Sequence, residues 1–247
     1  MKDTRLLMGM PITLEIVDKE VSTKDIDDVF AYFVYIDNTF SIYKENSEIS
    51  RINRKEIIGN KMSYDMQTIF QLAEKTKQET HGYFDIAQDN GLIDPSGVVK
   101  GWAILHAANL LKEKGFKNYY VDAGGDIQVS GLNSKGKPWT VGIRNPFNHD
   151  EIVKTVHLKG HGIATSGTYI RGQHIYNPLN RKKNLTDIVS ITVIGPDVLE
   201  ADRFATAAFA MQKQGIAFIE RQKELEGYMI DTKGIATFTS GFGEYVL

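Results

Sequence analysis

Asp202 and Thr206 lie four residues apart in VLEADRFATAAFAM, residues 198 to 211, a stretch that is apolar at almost every other position. On a helix that spacing stacks a carboxylate and a hydroxyl one turn apart on the same side. Pro196 cannot continue a helix backwards, Asp197 can cap its first turn, and Glu200 follows three residues later in the capping-box position. A carboxylate buried without a partner is strongly destabilising, so Asp202 needs a metal ion, Arg203 or another cation, or water along a narrow exposed strip.

Three further stretches carry chemistry-bearing residues. In HGYFDIAQDNGLIDPSGVVKGWA, residues 81 to 103, the segment from Gly97 to Gly101 leads into a helix whose N-terminus can meet an anion, with Lys100 just before it; taken alone, the segment reads more simply as a glycine-rich connection with a solvated lysine. In HGIATSGTYIRGQHIYNPL, residues 161 to 179, Thr165, Ser166, Gly167 and Thr168 offer hydrogen-bond donors, and His174 could take a proton from a hydroxyl or serve as a structural histidine. DAGGD, residues 122 to 126, is not a dinucleotide fingerprint and reads as a bulge or a close packing point.

The elements that must hold these residues follow from periodicity. Strand patterns run over residues 11 to 18, 118 to 131, 139 to 144, 154 to 158, 187 to 195, 227 to 232 and 234 to 240, and helical patterns over about 23 to 40, 63 to 80, 100 to 114, 197 to 212 and 214 to 225. NSKGKP, residues 133 to 138, supplies hairpin turn chemistry between the second and third strands. Strands arriving as hairpins favour an α+β fold, with a mixed, largely antiparallel sheet flanked by helices, in a single domain over residues 1 to 247. A formal net charge of −2 gives nucleic-acid binding no electrostatic source, and the densest basic cluster, NRKK at residues 180 to 183, reads as a solvated loop. The chain has no cysteine, which excludes disulfides and thiolate metal sites. No window reaches the length of a membrane span and the first residues move straight into a strand pattern, so a soluble, cytoplasmic chain without a membrane partner is expected.

In sequence order, MGMPITLEI, FSIYKENSEISRIN, GYFDI, DPSGVVKGWA, DAGGDI, WTVGIRNP, GIATSGTY, HIYNP and ITVIGPDVLEADRFATA resemble the successive motifs of the FAD:protein FMN transferases, the ApbE-like flavin transferases. The resemblance covers the chain from about Met8 to Met211 and implies a magnesium-dependent enzyme. Such an enzyme splits the pyrophosphate of FAD, passes FMN to a threonine or serine of an acceptor protein as a phosphoester, and releases AMP. Carried over by motif, Asp202, Thr206 and the Gly97 carbonyl would bind Mg2+, an oxygen set that suits a hard cation completed by water and phosphate. FAD would contact Met8, Tyr43, Tyr83, Phe84, Asp85, Asp94, Lys100 and Ile175, and His174 would be the base or would orient the acceptor hydroxyl. Asp202 would share in catalysis through the metal.

The chain departs from the family pattern in three places. The segment between Asp85 and Lys100 is shorter than usual, Asn177 stands where the histidine motif has an aspartate with the following Thr-Gly missing, and a start without the export signal and lipid anchor of many members is expected. An FAD pyrophosphatase yielding free FMN and AMP, and a non-catalytic FAD-binding protein, are the alternatives.

Overall fold

The structure, a computed structural model, describes residues 1–167, 175–180 and 185–246. His174, Thr168 and residues 181–183 of the basic cluster lie outside the described residues. In chain order the elements are β1 (Lys2–Leu7), β2 (Met10–Ile16), α1 (Thr23–Phe40), α2 (Glu48–Asn53), α3 (Tyr64–Glu79), α4 (Ser96–Glu113), β3 (Tyr119–Ala123) and β4 (Asp126–Ser130). They continue with β5 (Trp139–Asn145), β6 (Asn148–Leu158), β7 (Gly162–Gly167), β8 (Ile188–Gly195), α5 (Val198–Ala210), α6 (Gln214–Ile219), β9 (Glu226–Asp231) and β10 (Ala236–Phe238).

An eight-stranded sheet in the order β1-β2-β3-β4-β7-β8-β9-β10 is antiparallel at every pairing, and β5 and β6 form a separate antiparallel ribbon. The α+β expectation is met. Period-two alternation divides the strand residues between two cores. Ile12, Leu14, Val121, Ile191 and Val193 pack under the helices with Phe30, Phe33, Trp102, Ile104 and Phe209. Ile127, Val129, Ile163, Ile194 and Ile230 face the other way, against Trp139, Val141, Ile143, Val156 and Leu158 of the ribbon. The large sheet is thus a middle layer between helices and ribbon.

Helix starts follow the capping residues. Ser22 and Asp25 form a complete capping box on α1, and Asp197 accepts the Glu200 N–H at 2.9 Å to cap α5. Glu200 does not close a second box: its carboxylate receives the Arg203 guanidinium, with Nε donating at 2.9 Å. The helix expected from residue 100 begins at Ser96, because the Pro95 carbonyl accepts from Val98 and Val99 at 3.0 and 3.1 Å. Gly97 and Lys100 therefore sit inside α4 rather than ahead of it.

Residues 118 to 131 fold back on themselves. Gly124 and Gly125, both at positive φ (64° and 97°), make a two-residue turn between the paired residues Ala123 and Asp126, so DAGGD is a hairpin tip rather than a bulge. The NSKGKP turn consequently does not join paired strands: β4 pairs with β3 and β7, while β5 crosses to the ribbon with β6. Among the described residues no helix is long and apolar enough to cross a membrane.

Candidate active site

A cavity of about 1130 Å³ opens where the first turns of α4, the middle of α5, the β3–β4 turn, the end of β7 and the ribbon meet. The contact between α4 and α5 sets its chemistry. A Cβ added at Gly101 would lie 2.8 Å from the Asp202 Cβ and 3.0 Å from the Val198 carbonyl oxygen; one at Gly97 would lie 2.9 Å from the Phe84 ring and 3.5 Å from the Thr206 methyl. Two glycines four residues apart on α4 thus lie against the carboxylate and hydroxyl four residues apart on α5, and the helices run antiparallel. Only glycine permits this approach of backbone to side chain.

Asp202 is 4% exposed. The Gly101 N–H donates to its Oδ2 at 2.8 Å, and the Lys100 ammonium stands 3.7 Å from its Oδ1. In an undisturbed helix the Gly101 N–H belongs to the Gly97 carbonyl, so this bond draws on a donor that carbonyl would otherwise command. Burial pushes the Asp202 carboxyl up to about 7, against the pull of Lys100 and with the repulsion of Asp126. Arg203, one of the partners open to Asp202 from sequence, turns away to Glu200 and Glu79. Among the described residues Thr206 gives its hydroxyl to no protein group, whereas the helical Thr39, Thr68 and Thr76 each donate to the carbonyl four residues back.

Asp126, at the start of β4 and 2% exposed, faces the same cation: its Oδ2 pairs with Lys100, and its Oδ1 accepts the Thr165 N–H at 3.0 Å. Asp122 completes a wall. Burial raises its carboxyl above the usual range, although the Gly125 N–H donates to it at 2.8 Å and the Tyr120 hydroxyl at 3.2 Å.

Of the residues singled out in the sequence, Tyr83, Phe84, Asp85, Asp94, Gly97, Lys100, Ile175, Asp202 and Thr206 line this cavity. Met8 does not. It occupies the left-handed position (φ 52°) of the β1–β2 turn beside Gly9 and Met10, which do line it. Tyr43 stands apart at 92% exposure. His174 lies outside the described residues. Asp85 is tied to Lys77 at 2.8 Å, and Asp94 accepts the Ser96 N–H at 3.0 Å at the head of α4. The short segment from residue 86 to 93 closes on itself through an Ala87–Ile93 bridge, and the Asn53 amide clamps both polar backbone groups of Ile93. Tyr176 hangs from the same segment, its hydroxyl donating to the Asp85 carbonyl at 2.9 Å.

Asp122, Asp126, Asn53 and Tyr176 had no role assigned from sequence. Asp126 was visible as the last residue of DAGGD and Asn53 as the last of SRIN, but the pairing that gives each its task spans dozens of residues. Among the described residues no cluster of three or more His, Asp or Glu side chains is arranged to hold a metal. A cation here would have to be held by one carboxylate, a hydroxyl and backbone.

Residues 8–92 and 87–229 match the model of the ApbE family. The chain belongs to that family. FAD:protein FMN transferases of Klebsiella pneumoniae (strain 342) and Escherichia coli (strain K12) are each 34% identical over 151 residues, 58% of this chain and 43% of theirs. The Vibrio cholerae relative of the same name is 32% identical over 163 residues, 62% of this chain and 47% of its own. The matched stretch thus spans less than half the length of these curated ApbE relatives. The flavin transferase ApbE from Vibrio cholerae superposes with a TM-score of 0.87 at 21% identity, covering 100% of this chain and 99% of that one. The flavinyl transferase ApbE from Pseudomonas stutzeri, in its apo form, gives 0.86 at 19%, covering 100% and 96%. These solved structures share the fold: the mixed α+β architecture with its antiparallel sheet is that of the ApbE proteins.

Proposed function

We propose that this ApbE-family chain is a magnesium-dependent transferase. It would take FAD into the cavity, attach FMN through a phosphoester to a threonine or serine of an acceptor protein, and release AMP. The observation that carries the reading is the meeting of the Asp202 carboxylate, the uncommitted Thr206 hydroxyl and the Gly97 backbone on one wall, beside the Lys100 ammonium. The names of the curated relatives support the substrate and the group transferred.

Asp202 Oδ1, the Thr206 hydroxyl and the Gly97 carbonyl would hold Mg2+, and the remaining positions would fall to water and phosphate oxygens, as oxygen-seeking Mg2+ prefers. The bound ion would neutralise charge developing on the pyrophosphate during displacement. Lys100 adds a second positive charge on the same side, and buried surroundings strengthen it. Tyr83, Phe84 and Ile175 supply apolar surface for a ring system, with Asp85 and Asp94 at its polar margin. His174 is proposed to take the proton of the acceptor hydroxyl as it attacks the FMN-side phosphorus.

Asp202→Ala should lower FAD cleavage by at least about a hundredfold, since it removes the only carboxylate proposed to hold the ion. Circular dichroism of the variant should match the parent; undiminished turnover would remove the metal assignment. His174→Ala should slow transfer much more than it weakens FAD binding, and an equal loss of both would make His174 a binding residue.

A further inference from the structure

Two carboxylates share one ammonium at this site, and their freedom to move differs. Asp126 is buried and anchored through its second oxygen by the Thr165 N–H at 3.0 Å. Asp202 is equally enclosed, with Oδ2 committed to the Gly101 N–H at 2.8 Å. That leaves Oδ1 as its oxygen for a cation, and Lys100 stands 3.7 Å from it. Lys100 is the adjustable member: a flexible stem on the cavity wall, with its side chain 18% exposed.

We propose that Lys100, held in place by Asp126, makes divalent-cation binding at Asp202 conditional on a bound pyrophosphate. Without FAD the ammonium serves as counterion to Asp202 Oδ1, and a metal ion arriving there meets a like charge at close range. The pyrophosphate of FAD offers Lys100 new anionic oxygens from the cavity side, drawing the ammonium off Oδ1 while those oxygens also complete the metal's shell. Asp126 is a positioning residue: its ion pair keeps Lys100 within reach of the phosphates when it leaves Asp202. By linkage the coupling is reciprocal, so the metal tightens FAD by the factor with which FAD tightens the metal. A cation free in solution would then not be held by the empty enzyme, and the site would assemble only around its substrate. The inference rests on the FAD-transfer reading and adds to it the order in which the site fills.

The test is a Mn2+ titration of the full chain without FAD, followed by electron paramagnetic resonance, in the parent and in Lys100→Met, Lys100→Gln, Lys100→Arg and Asp126→Asn. Loss of the ammonium should tighten Mn2+ by about tenfold in the Met and Gln variants, within the usual range of site-to-site coupling. The Arg variant, which keeps the charge, should bind like the parent. Asp126→Asn removes one of the two carboxylates that pair with Lys100, shifts the ammonium towards Asp202 and should bind Mn2+ more weakly than the parent. Metal-free FAD binding, read by flavin fluorescence, should weaken in the Met and Gln variants and hold in the Arg variant. Mn2+ affinity unchanged or lowered in both Met and Gln variants, with FAD still bound by the parent, overturns the gate and leaves the transferase reading standing. A parent chain that binds no FAD overturns the transferase reading itself, whatever the Mn2+ titration gives.

Discussion

Asp202 turns burial into a pH-dependent stability term. Its carboxyl, ordinarily near 3.8, is raised to about 7 chiefly by burial, so between those values the folded chain keeps a proton that the unfolded chain has released. This contribution is therefore fully present below about pH 4, declines as pH rises through the window, and is lost above about pH 7. Asp202→Asn should flatten the fall in melting temperature expected of the metal-free parent between pH 5 and 8, and an identical slope in both proteins would show that another group is responsible. The proposed Mg2+ would bind the ionised form, so in the presence of FAD it should raise the melting temperature more at pH 8 than at pH 5. Thermal scans at the two values, with and without the ion, check this.

The α4–α5 contact is the element on which the site depends. Gly101→Ala would put a methyl 2.8 Å from the Asp202 Cβ and 3.0 Å from α5 backbone, atoms that cannot turn aside as a flexible side chain would. Overpacking of this kind should cost about 1–3 kcal/mol in urea unfolding and should also reduce activity, because it displaces Asp202. How far such elements could be read from sequence depended on how they are buried. The α1 and α3 helices have one apolar face and a serine cap, and their bounds agree with periodicity to within about a residue. The start of α4 was hidden because the helix is buried on most sides, through Val98, Val99, Trp102, Ala103, Ile104 and Ala107, and shows no stripe. Two strands had no range of their own: β1, KDTRLL, is a half-exposed edge ahead of the run that starts at residue 11, and β7, GIATSG, is made of small residues whose burial comes from β4, β8 and α5. The six-residue α2 is too short for periodicity to register. The Asp202–Thr206 pair was legible because both residues share one helix; Asp126 was not, since its significance lies in Lys100 and Thr165.

At the scale of the molecule, the second core makes the ribbon a structural wall of the cavity. Trp139 is 5% exposed and donates its indole N–H to the Ser130 carbonyl at 2.9 Å, joining ribbon to sheet, while Val141, Ile143 and Arg144 beyond it line the cavity. Trp139→Ala should destabilise the chain by about 3–5 kcal/mol and weaken FAD binding, although residue 139 itself lies outside the lining. Destabilisation with FAD affinity intact, read by flavin fluorescence on the folded variant, would mean that the ribbon does not shape the ligand site. The fate of FAD decides whether the proposed transfer occurs. Its most direct test is incubation of the pure chain with FAD and Mg2+, with and without a domain carrying a flavinylation threonine, reading AMP release and flavin covalently bound to the acceptor. Transfer should give AMP together with flavin on the acceptor threonine, both abolished by Asp202→Ala. AMP accompanied only by free FMN, or bound FAD that is never cleaved, would contradict it.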